Sequence, residues 1–211
     1  MRLDPRSLSV YVVTSSRGAS RSGHLEIAAA AIAGRATAVQ LRAPELTDGS
    51  LLPLAHEIAE ACRGAGVLFV VNDRVEVAAA VGAGAHVGQD DDPERARGLL
   101  GPDAVLGVSV GTVGDVAVAE RAGADYLGVT VFSTSTKPDA RPIGLDGLSR
   151  IVAATSIPVV GIGGIDAANA RDVLAAGAAG VAVISAVADA DDPIAAAGSL
   201  VDAVKRAGAT R

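Results

Sequence analysis

The stretch Val67-Leu-Phe-Val-Val-Asn-Asp-Arg74 passes from an unbroken apolar run directly into an amide and a carboxylate. Such a run is typical of a parallel strand with both faces covered, because a half-exposed strand alternates apolar and polar residues. Similar runs recur along the chain, and Ala-rich stretches with helical spacing separate them. The eight runs cover residues 8–14, 38–42, 67–72, 85–88, 105–109, 126–131, 157–162 and 180–185.

Eight strand–helix units predict an α/β fold, a single (β/α)8 TIM barrel in one domain over residues 1–211. The connector 48–63 places its apolar residues on one helical stripe that includes Cys62. Asp92 before Pro93 is typical of a helix start, and Gly123 and Gly177 are typical of helix ends. Because such barrels carry their chemistry at the carboxyl ends of the strands, we expect the site there.

The composition limits the classes of partner. Only 2% of the residues are aromatic and the formal net charge is −6, so we expect small-molecule substrates and no nucleic acid. No run is long enough to span a membrane, and the first residues contain no secretion signal, so we expect a cytoplasmic protein. Cys62, the single cysteine, is predicted to be a buried and inert thiol. The composition is compatible with a homo-oligomer.

The second run ends in Gln40-Leu-Arg42. Side chains alternate along a strand, so Gln40 and Arg42 point to the same side, where a guanidinium can bind phosphate in a bidentate manner. We interpret the pair as an anion clamp beside a contact to a polar ring. The alternative is an inward amide and an arginine at the barrel rim with no ligand, and the spacing alone does not choose between them.

Acidic residues follow the third and fourth runs. Asp73 comes directly after Asn72, and the sequence Asp90-Asp-Asp92 comes after the fourth run. A pair of carboxylates on neighbouring strand ends suits Mg²⁺, which takes few protein ligands and completes its shell with water and substrate phosphates. Asp92 is better explained as the helix cap before Pro93. Spacing leaves open which of Asp90 and Asp91 points inward.

Loops after the last three runs predict anion binding. The sixth run leads into a hydroxyl-rich loop with one ammonium, which is either an anion cradle or an exposed turn: Thr134, Ser135, Thr136 and Lys137. The seventh and eighth runs are followed by Gly163-Gly164 and by Ile184-Ser185, in the place where barrels of this type often bind phosphate. We expect Asp166 to cap the helix after Gly164.

A nucleophilic mechanism has little support. Ser109 ends the fifth run and faces the predicted mouth, but a serine nucleophile needs an adjacent base and the sequence indicates no suitable histidine. His24, His56 and His86 are therefore interpreted as structural or solvated residues, and zinc binding is not expected.

At this point the chain resembles the thiamine phosphate synthase family over nearly its full length. The motifs that carry the resemblance occur in the family's order. They lie at residues 39–42 (VQLR), 71–74 (VNDR), 86–91 (HVGQDD), 106–109 (LGVS), 124–128 (ADYLG), 134–137 (TSTK) and 160–165 (VGIGGI). The resemblance implies a Mg²⁺-dependent transferase that joins 4-amino-2-methyl-5-hydroxymethylpyrimidine diphosphate to a thiazole phosphate. The products would be thiamine phosphate and pyrophosphate, formed by a dissociative displacement without a protein nucleophile.

The resemblance also implies roles for single residues. The pyrimidine diphosphate would be held by Gln40, Arg42, Asn72, Ser109 and Lys137, and of these Arg42, Ser109 and Lys137 are the predicted catalytic residues. Mg²⁺ would be held by Asp73 and Asp91, so the family pattern selects Asp91 over Asp90. The thiazole phosphate would be held by Thr134, Ser135, Thr136, Gly164, Ile184 and Ser185.

The chain departs from the family at the end of the second run. Ala43-Pro44 occupies the place where many members have a lysine, and Arg17 or Arg74 would have to supply the missing positive charge. Two other functions are therefore weighed. A related thiazole tautomerase shares the barrel but need not keep the metal carboxylates, and a noncatalytic barrel would only bind a phosphate ligand. Asn72, Asp73, Asp91 and Lys137 favour the synthase over both.

Overall fold

A computed structural model describes residues 3–15, 21–133 and 141–209. Within these residues, eight parallel strands pair in chain order and the first strand also pairs with the last, so the barrel closes. The predicted α/β barrel is confirmed. The strands are β1 (Val10–Val13), β2 (Ala38–Leu41), β3 (Leu68–Asn72), β4 (Gly84–Val87), β5 (Leu106–Ser109), β6 (Tyr126–Thr130), β7 (Val159–Ile162) and β8 (Gly180–Val183).

Helices connect the strands and cover the outside of the barrel. They are α1 (Arg21–Ala33), α2 (Asp48–Ala65), α3 (Val75–Val81), α4 (Pro93–Leu100), α5 (Val113–Arg121), α6 (Gly144–Ala153), α7 (Ala170–Ala175), α8 (Ser185–Ala188) and α9 (Pro193–Gly208), and a short 3-10 helix, Pro5–Leu8, precedes β1. No helix in the described part of the chain is long and apolar enough to cross a membrane.

The predicted helix signals are confirmed at most places. The Asp92 carboxylate accepts hydrogen bonds from the backbone N–H groups of Glu94 and Arg95, as expected of a cap. Gly123 and Gly177 follow α5 and α7 with φ angles of 80° and 104°, a region that favours glycine. Cys62 lies fully buried on the apolar stripe of α2, and burial raises the pKa of its thiol to about 12, so it is a packing residue.

Asp166 does not cap the helix as predicted. Its carboxylate accepts hydrogen bonds from the backbone N–H groups of Ala168 and Asn169, which belong to a turn before α7. The helix itself begins at Ala170. The predicted runs also extend beyond several strands. Leu8, for example, lies in the 3-10 helix, because a buried turn is as apolar as the strand that follows it.

Side-chain alternation separates two cores. Outward residues of the strands pack against the helices in the larger core, which contains Val12, Val39 and Val71. Inward residues fill the barrel, and the smaller core there consists of Leu8, Tyr11, Ala38, Val70, Tyr126, Val160 and Ala182. Many inward positions nearer the carboxyl ends are polar or small, and the pocket opens at that end of the barrel.

Candidate functional site

A pocket opens at the carboxyl ends of the strands, where the sequence predicts the site. Its lining includes every predicted substrate-binding residue in the described ranges, namely Gln40, Arg42, Asn72, Ser109, Gly164, Ile184 and Ser185. Thr134, Ser135, Thr136, Lys137 and Arg17 lie outside the described residues. The walls also include side chains that the sequence analysis did not select, namely Tyr11, Val13, His86, Tyr126, Thr130, Ile162 and Ile165.

Gln40 and Arg42 both line the pocket, as the alternation predicts. Gln40 is 5% exposed, and its Nε2 donates a hydrogen bond of 2.9 Å to the Tyr11 hydroxyl. The Arg42 backbone N–H donates to Thr14 Oγ1 at 3.2 Å, which ties the end of β2 to the end of β1. One wall of the pocket therefore presents an amide and a guanidinium on a fixed backbone.

A buried histidine extends this fixed wall. His24 is fully buried, with its Nδ1 2.8 Å from Thr14 Oγ1 and its Nε2 2.8 Å from a carboxylate oxygen of Glu45. His24 thus connects α1 to the segment after β2 that carries Arg42. The interpretation of His24 as structural is confirmed, and His56 is exposed on α2 as expected of a solvated residue.

The expectation that no histidine lies beside Ser109 is wrong, because His86 contacts it. Its Nε2 lies 3.0 Å from Ser109 Oγ, and its Nδ1 lies 3.0 Å from the Tyr126 hydroxyl. The Tyr126 hydroxyl is in turn 2.9 Å from that of Tyr11. The sequence analysis found no histidine beside Ser109, because the two residues are on different strands and only their inward direction brings them together. The Nδ1 nitrogen faces a phenol where a catalytic triad would place a carboxylate.

The two phenols in this network are neutral. Burial raises the pKa of both Tyr11 and Tyr126, which are 2% and 1% exposed. Each hydroxyl therefore carries one proton to donate. The Tyr126 ring lies at a centroid distance of 6.1 Å from Tyr11 and 5.5 Å from His86, so the three rings pack together inside the barrel where they line the pocket.

Two inward glycines make room for these rings. A methyl group on Gly107 would overlap Tyr126 and the His86 ring, and one on Gly128 would lie 2.8 Å from His86 Cε1. Gly107 on β5 pairs with His86 on β4 and with Tyr126 on β6. The rings of these two residues occupy the space that a side chain at position 107 would need. The sequence signal was present as glycines inside apolar runs.

Asp73 and Asp91 lie at neighbouring strand ends. The Asp73 backbone N–H donates to the His86 carbonyl, and two residues beyond His86 the Gly88 N–H donates to the Asp91 carboxylate at 2.7 Å. Asp73 has a φ of 60°, a left-handed conformation that aspartate tolerates better than most residues. Arg74, a candidate to replace the missing lysine, forms an ion pair with Asp48 at 3.4 Å.

The opposite wall is made of backbone. Gly163 and Gly164 have φ angles of 91° and 58°, and a methyl group on either would approach the carbonyls of Phe132 and Ser133. Asn169 fixes this loop by donating to the Gly164 carbonyl at 2.8 Å. The glycines are therefore required both by conformation and by close approach to the segment that follows β6.

Chemically, the pocket offers an amide, a guanidinium and a hydroxyl on one side and glycine backbone on the other. In the comparison with known proteins, a family model described as thiamine monophosphate synthase matches residues 10–187. The chain belongs to this family. The family match confirms the predicted resemblance, and with it the prediction of a transferase of thiamine biosynthesis.

Individual members of the family are similar over almost the whole chain. A thiamine-phosphate synthase from Moorella thermoacetica is 52% identical over 202 residues, which cover 94% of this chain and 96% of the relative. One from Methanocella arvoryzae is 50% identical over 90% of this chain and 92% of the relative. A solved thiamine phosphate pyrophosphorylase from Pyrococcus furiosus has a TM-score of 0.88 at 39% identity, with coverage of 96% and 98%.

Proposed function

We propose that this chain condenses 4-amino-2-methyl-5-hydroxymethylpyrimidine diphosphate with a thiazole phosphate, releasing thiamine phosphate and pyrophosphate. The observation that carries the proposal is the division of one pocket between two kinds of wall. Gln40, Arg42, Asn72 and Ser109 form a polar wall on β2, β3 and β5, and glycine backbone forms the other wall after β7. Two phosphorylated substrates that must meet need such a divided pocket.

The polar wall suits the pyrimidine diphosphate. The Gln40 amide and the Ser109 hydroxyl can form hydrogen bonds with the aminopyrimidine ring, and Arg42 can bind the diphosphate with its planar guanidinium. We assign the same role to Lys137, and Asn72 completes this side. Because the position of Gln40 is fixed through Tyr11, the wall is ordered before the substrate arrives, which lowers the entropic cost of binding.

The reaction that fits these residues is a dissociative displacement. The bond between the methylene carbon and the diphosphate oxygen breaks, and the electron pair leaves with the diphosphate. The aminopyrimidine ring spreads the positive charge, and the lone pair of the thiazole nitrogen then forms the new carbon–nitrogen bond. The chain contributes position and positive charge, with Arg42, Ser109 and Lys137 acting at the leaving group, and no protein nucleophile is required.

Asp73 and Asp91 suit Mg²⁺. Both are carboxylates at neighbouring strand ends, linked through the backbone of residues 86–88, and hard oxygen donors are what Mg²⁺ prefers. The described residues contain no cluster of three or more ligating side chains, so the diphosphate and water would complete the shell. When bound there, Mg²⁺ would neutralise charge on the leaving diphosphate.

The glycine wall suits the thiazole phosphate. Gly164, Ile184 and Ser185 line this part of the pocket, and glycine lets backbone N–H groups approach an anion closely. Thr134, Ser135 and Thr136 would add hydroxyl groups from the segment after Ser133. Gly164 packs against the carbonyl of Ser133, the residue that directly precedes Thr134 in the chain.

The remaining expectations form part of the same proposal. The net charge of −6 and the single buried cysteine agree with small phosphorylated substrates, no nucleic-acid partner and a cytoplasmic location. Arg74 is engaged with Asp48, which leaves Arg17 as the residue to supply the charge that Pro44 omits. A homo-oligomer is compatible with the proposal, and light scattering of the purified protein determines its size.

The test is a reaction of the purified protein with both substrates and Mg²⁺, in which thiamine phosphate and pyrophosphate are quantified together. We expect the two products to appear in equal amounts and only when both substrates are present. Tautomerisation of the thiazole phosphate without coupling would instead indicate the related isomerase. Binding without any turnover would indicate a phosphate-binding barrel, and either result would refute the proposed reaction.

A further inference from the structure

Five side chains that line the pocket form a continuous hydrogen-bonded row. Gln40 Nε2 donates to the Tyr11 hydroxyl, which lies 2.9 Å from the Tyr126 hydroxyl; His86 then bridges Tyr126 and Ser109 with 3.0 Å contacts at both nitrogens. The row begins on β2, crosses β1, β6 and β4, and ends on β5. Its two ends, Gln40 and Ser109, both line the pocket.

The protons along this row are not independent. A hydroxyl has one proton, and a neutral imidazole has one N–H and one acceptor nitrogen. If Gln40 donates to Tyr11, then Tyr11 donates to Tyr126, Tyr126 donates to Nδ1 of His86, and Nε2–H donates to Ser109. If the Gln40 amide turns over, its oxygen accepts from Tyr11 and every bond in the row reverses.

We propose that these five side chains act as one relay with two senses, in which all hydrogen bonds point either from Gln40 toward Ser109 or from Ser109 toward Gln40. In each sense the two ends of the row, Gln40 and Ser109, present opposite hydrogen-bonding roles to the substrate. In the first sense, Gln40 turns its carbonyl oxygen to the pocket and Ser109 donates its proton there. In the second sense, Gln40 offers its NH₂ group and Ser109 accepts. Tyr11, Tyr126 and His86 are thus positioning residues that act through the two ends.

The consequence for the substrate rests on the proposed function, because Gln40 and Ser109 must contact the same ring. The relay selects a ring with a donor at one edge and an acceptor at another, and an aminopyrimidine has both, in its amino group and its ring nitrogens. A ring with two donors or two acceptors at these places would break one bond in the row. An unpaired polar group in this buried position lowers affinity.

Burial and packing favour a coupled row over four independent hydrogen bonds. Tyr11, Gln40 and Tyr126 are 2%, 5% and 1% exposed, so water cannot readily replace a missing partner at the first three positions. Gly107 and Gly128 leave the space in which Tyr126 and His86 lie. The Gln40 amide nitrogen faces Tyr11, as the first sense requires.

The position of the His86 proton reports the sense of the relay. The chain has three histidines, so ¹⁵N spectra of histidine-labelled protein resolve the tautomer of each ring, and His86→Asn identifies the His86 signals. We expect the Nε2–H tautomer in substrate-free protein. In Gln40→Glu the carboxylate can only accept, so Tyr11 donates to it and the His86 proton moves to Nδ1. The spectra are recorded from pH 6 to pH 9, so that ionisation of the new carboxyl falls within the series.

Three further variants complete the test. Gln89→Glu makes the same change at the chain's other glutamine, which is exposed, and leaves the His86 tautomer unchanged. Gln40→Met is uncharged and donates nothing to Tyr11, so it also shifts the population toward Nδ1–H if Gln40→Glu does not fold. Adding Tyr11→Phe to either Gln40 variant abolishes the shift, because the phenyl ring interrupts the row.

An unchanged His86 tautomer in every folded Gln40 variant overturns the proposal, as does a shift that persists when Tyr11→Phe is added. Because the spectra are recorded without substrate, the outcome does not depend on synthase activity. A relay that responds as expected in a protein without turnover would count against the proposed function alone. A missing relay in an active synthase would count against the inference alone.

Discussion

Replacing Gly107 by alanine tests whether the space beneath the pocket is required. The new methyl group would overlap the Tyr126 ring and hydroxyl and the His86 Nδ1, and all of these belong to rings confined within the barrel. Overpacking of this kind costs about 1–3 kcal/mol of unfolding free energy. Because the displaced atoms hold Ser109 through His86, we also expect weaker binding of the pyrimidine diphosphate, as a rise in KM.

The assay combines urea unfolding with steady-state kinetics of thiamine phosphate formation. At this chain length each kcal/mol corresponds to about 2–4 °C in Tm, so thermal unfolding gives a second measure. Gly98→Ala is the matched control, because a methyl group there meets nothing within 4 Å and Gly98 lies in α4. Replacing a helical glycine by alanine raises the free energy of unfolding by about 0.5–1 kcal/mol. The free energies of unfolding of the two variants should therefore shift in opposite directions. A Gly107→Ala protein with wild-type stability and KM would refute the reasoning.

Two more substitutions test the lower and upper ends of the barrel. Arg97 donates to three backbone carbonyls and to Asp125 at the amino ends of β5 and β6, so Arg97→Met should cost about 2–4 kcal/mol in urea unfolding while kcat stays near the wild-type value. A large loss of kcat in folded protein would contradict this separation of stability from catalysis. Asp73→Asn keeps a residue that tolerates the φ of 60°. It should change stability by less than about 0.5 kcal/mol yet lower turnover by about tenfold or more across a Mg²⁺ titration. Wild-type turnover would remove Asp73 from the metal site.

The barrel follows from the sequence because two local rules suffice for it. Unbroken apolar runs mark strands covered on both faces, and glycine and aspartate mark the ends and starts of the helices. Alternation within one strand also predicts that Gln40 and Arg42 share the pocket. The apolar stripe of α2 with Cys62, which depends only on spacing within one segment, is confirmed.

The row of five side chains cannot be predicted from local sequence, because its members lie on five strands. Nothing within its own run links His86 to Tyr126 or Ser109, and only the barrel places it between them. The turn at Asp166 was misjudged for another reason. An aspartate that accepts two backbone N–H groups in a turn has the same sequence signature as one that caps a helix.

A crystal structure of the protein with thiamine phosphate, pyrophosphate and Mg²⁺ would show whether one pocket holds two phosphorylated groups on opposite walls. We predict pyrophosphate beside Arg42, with the metal between it and Asp73 and Asp91, and the phosphate of thiamine phosphate against Gly164 and Ser185. Pyrophosphate on the glycine wall, or a metal away from both carboxylates, would contradict the account.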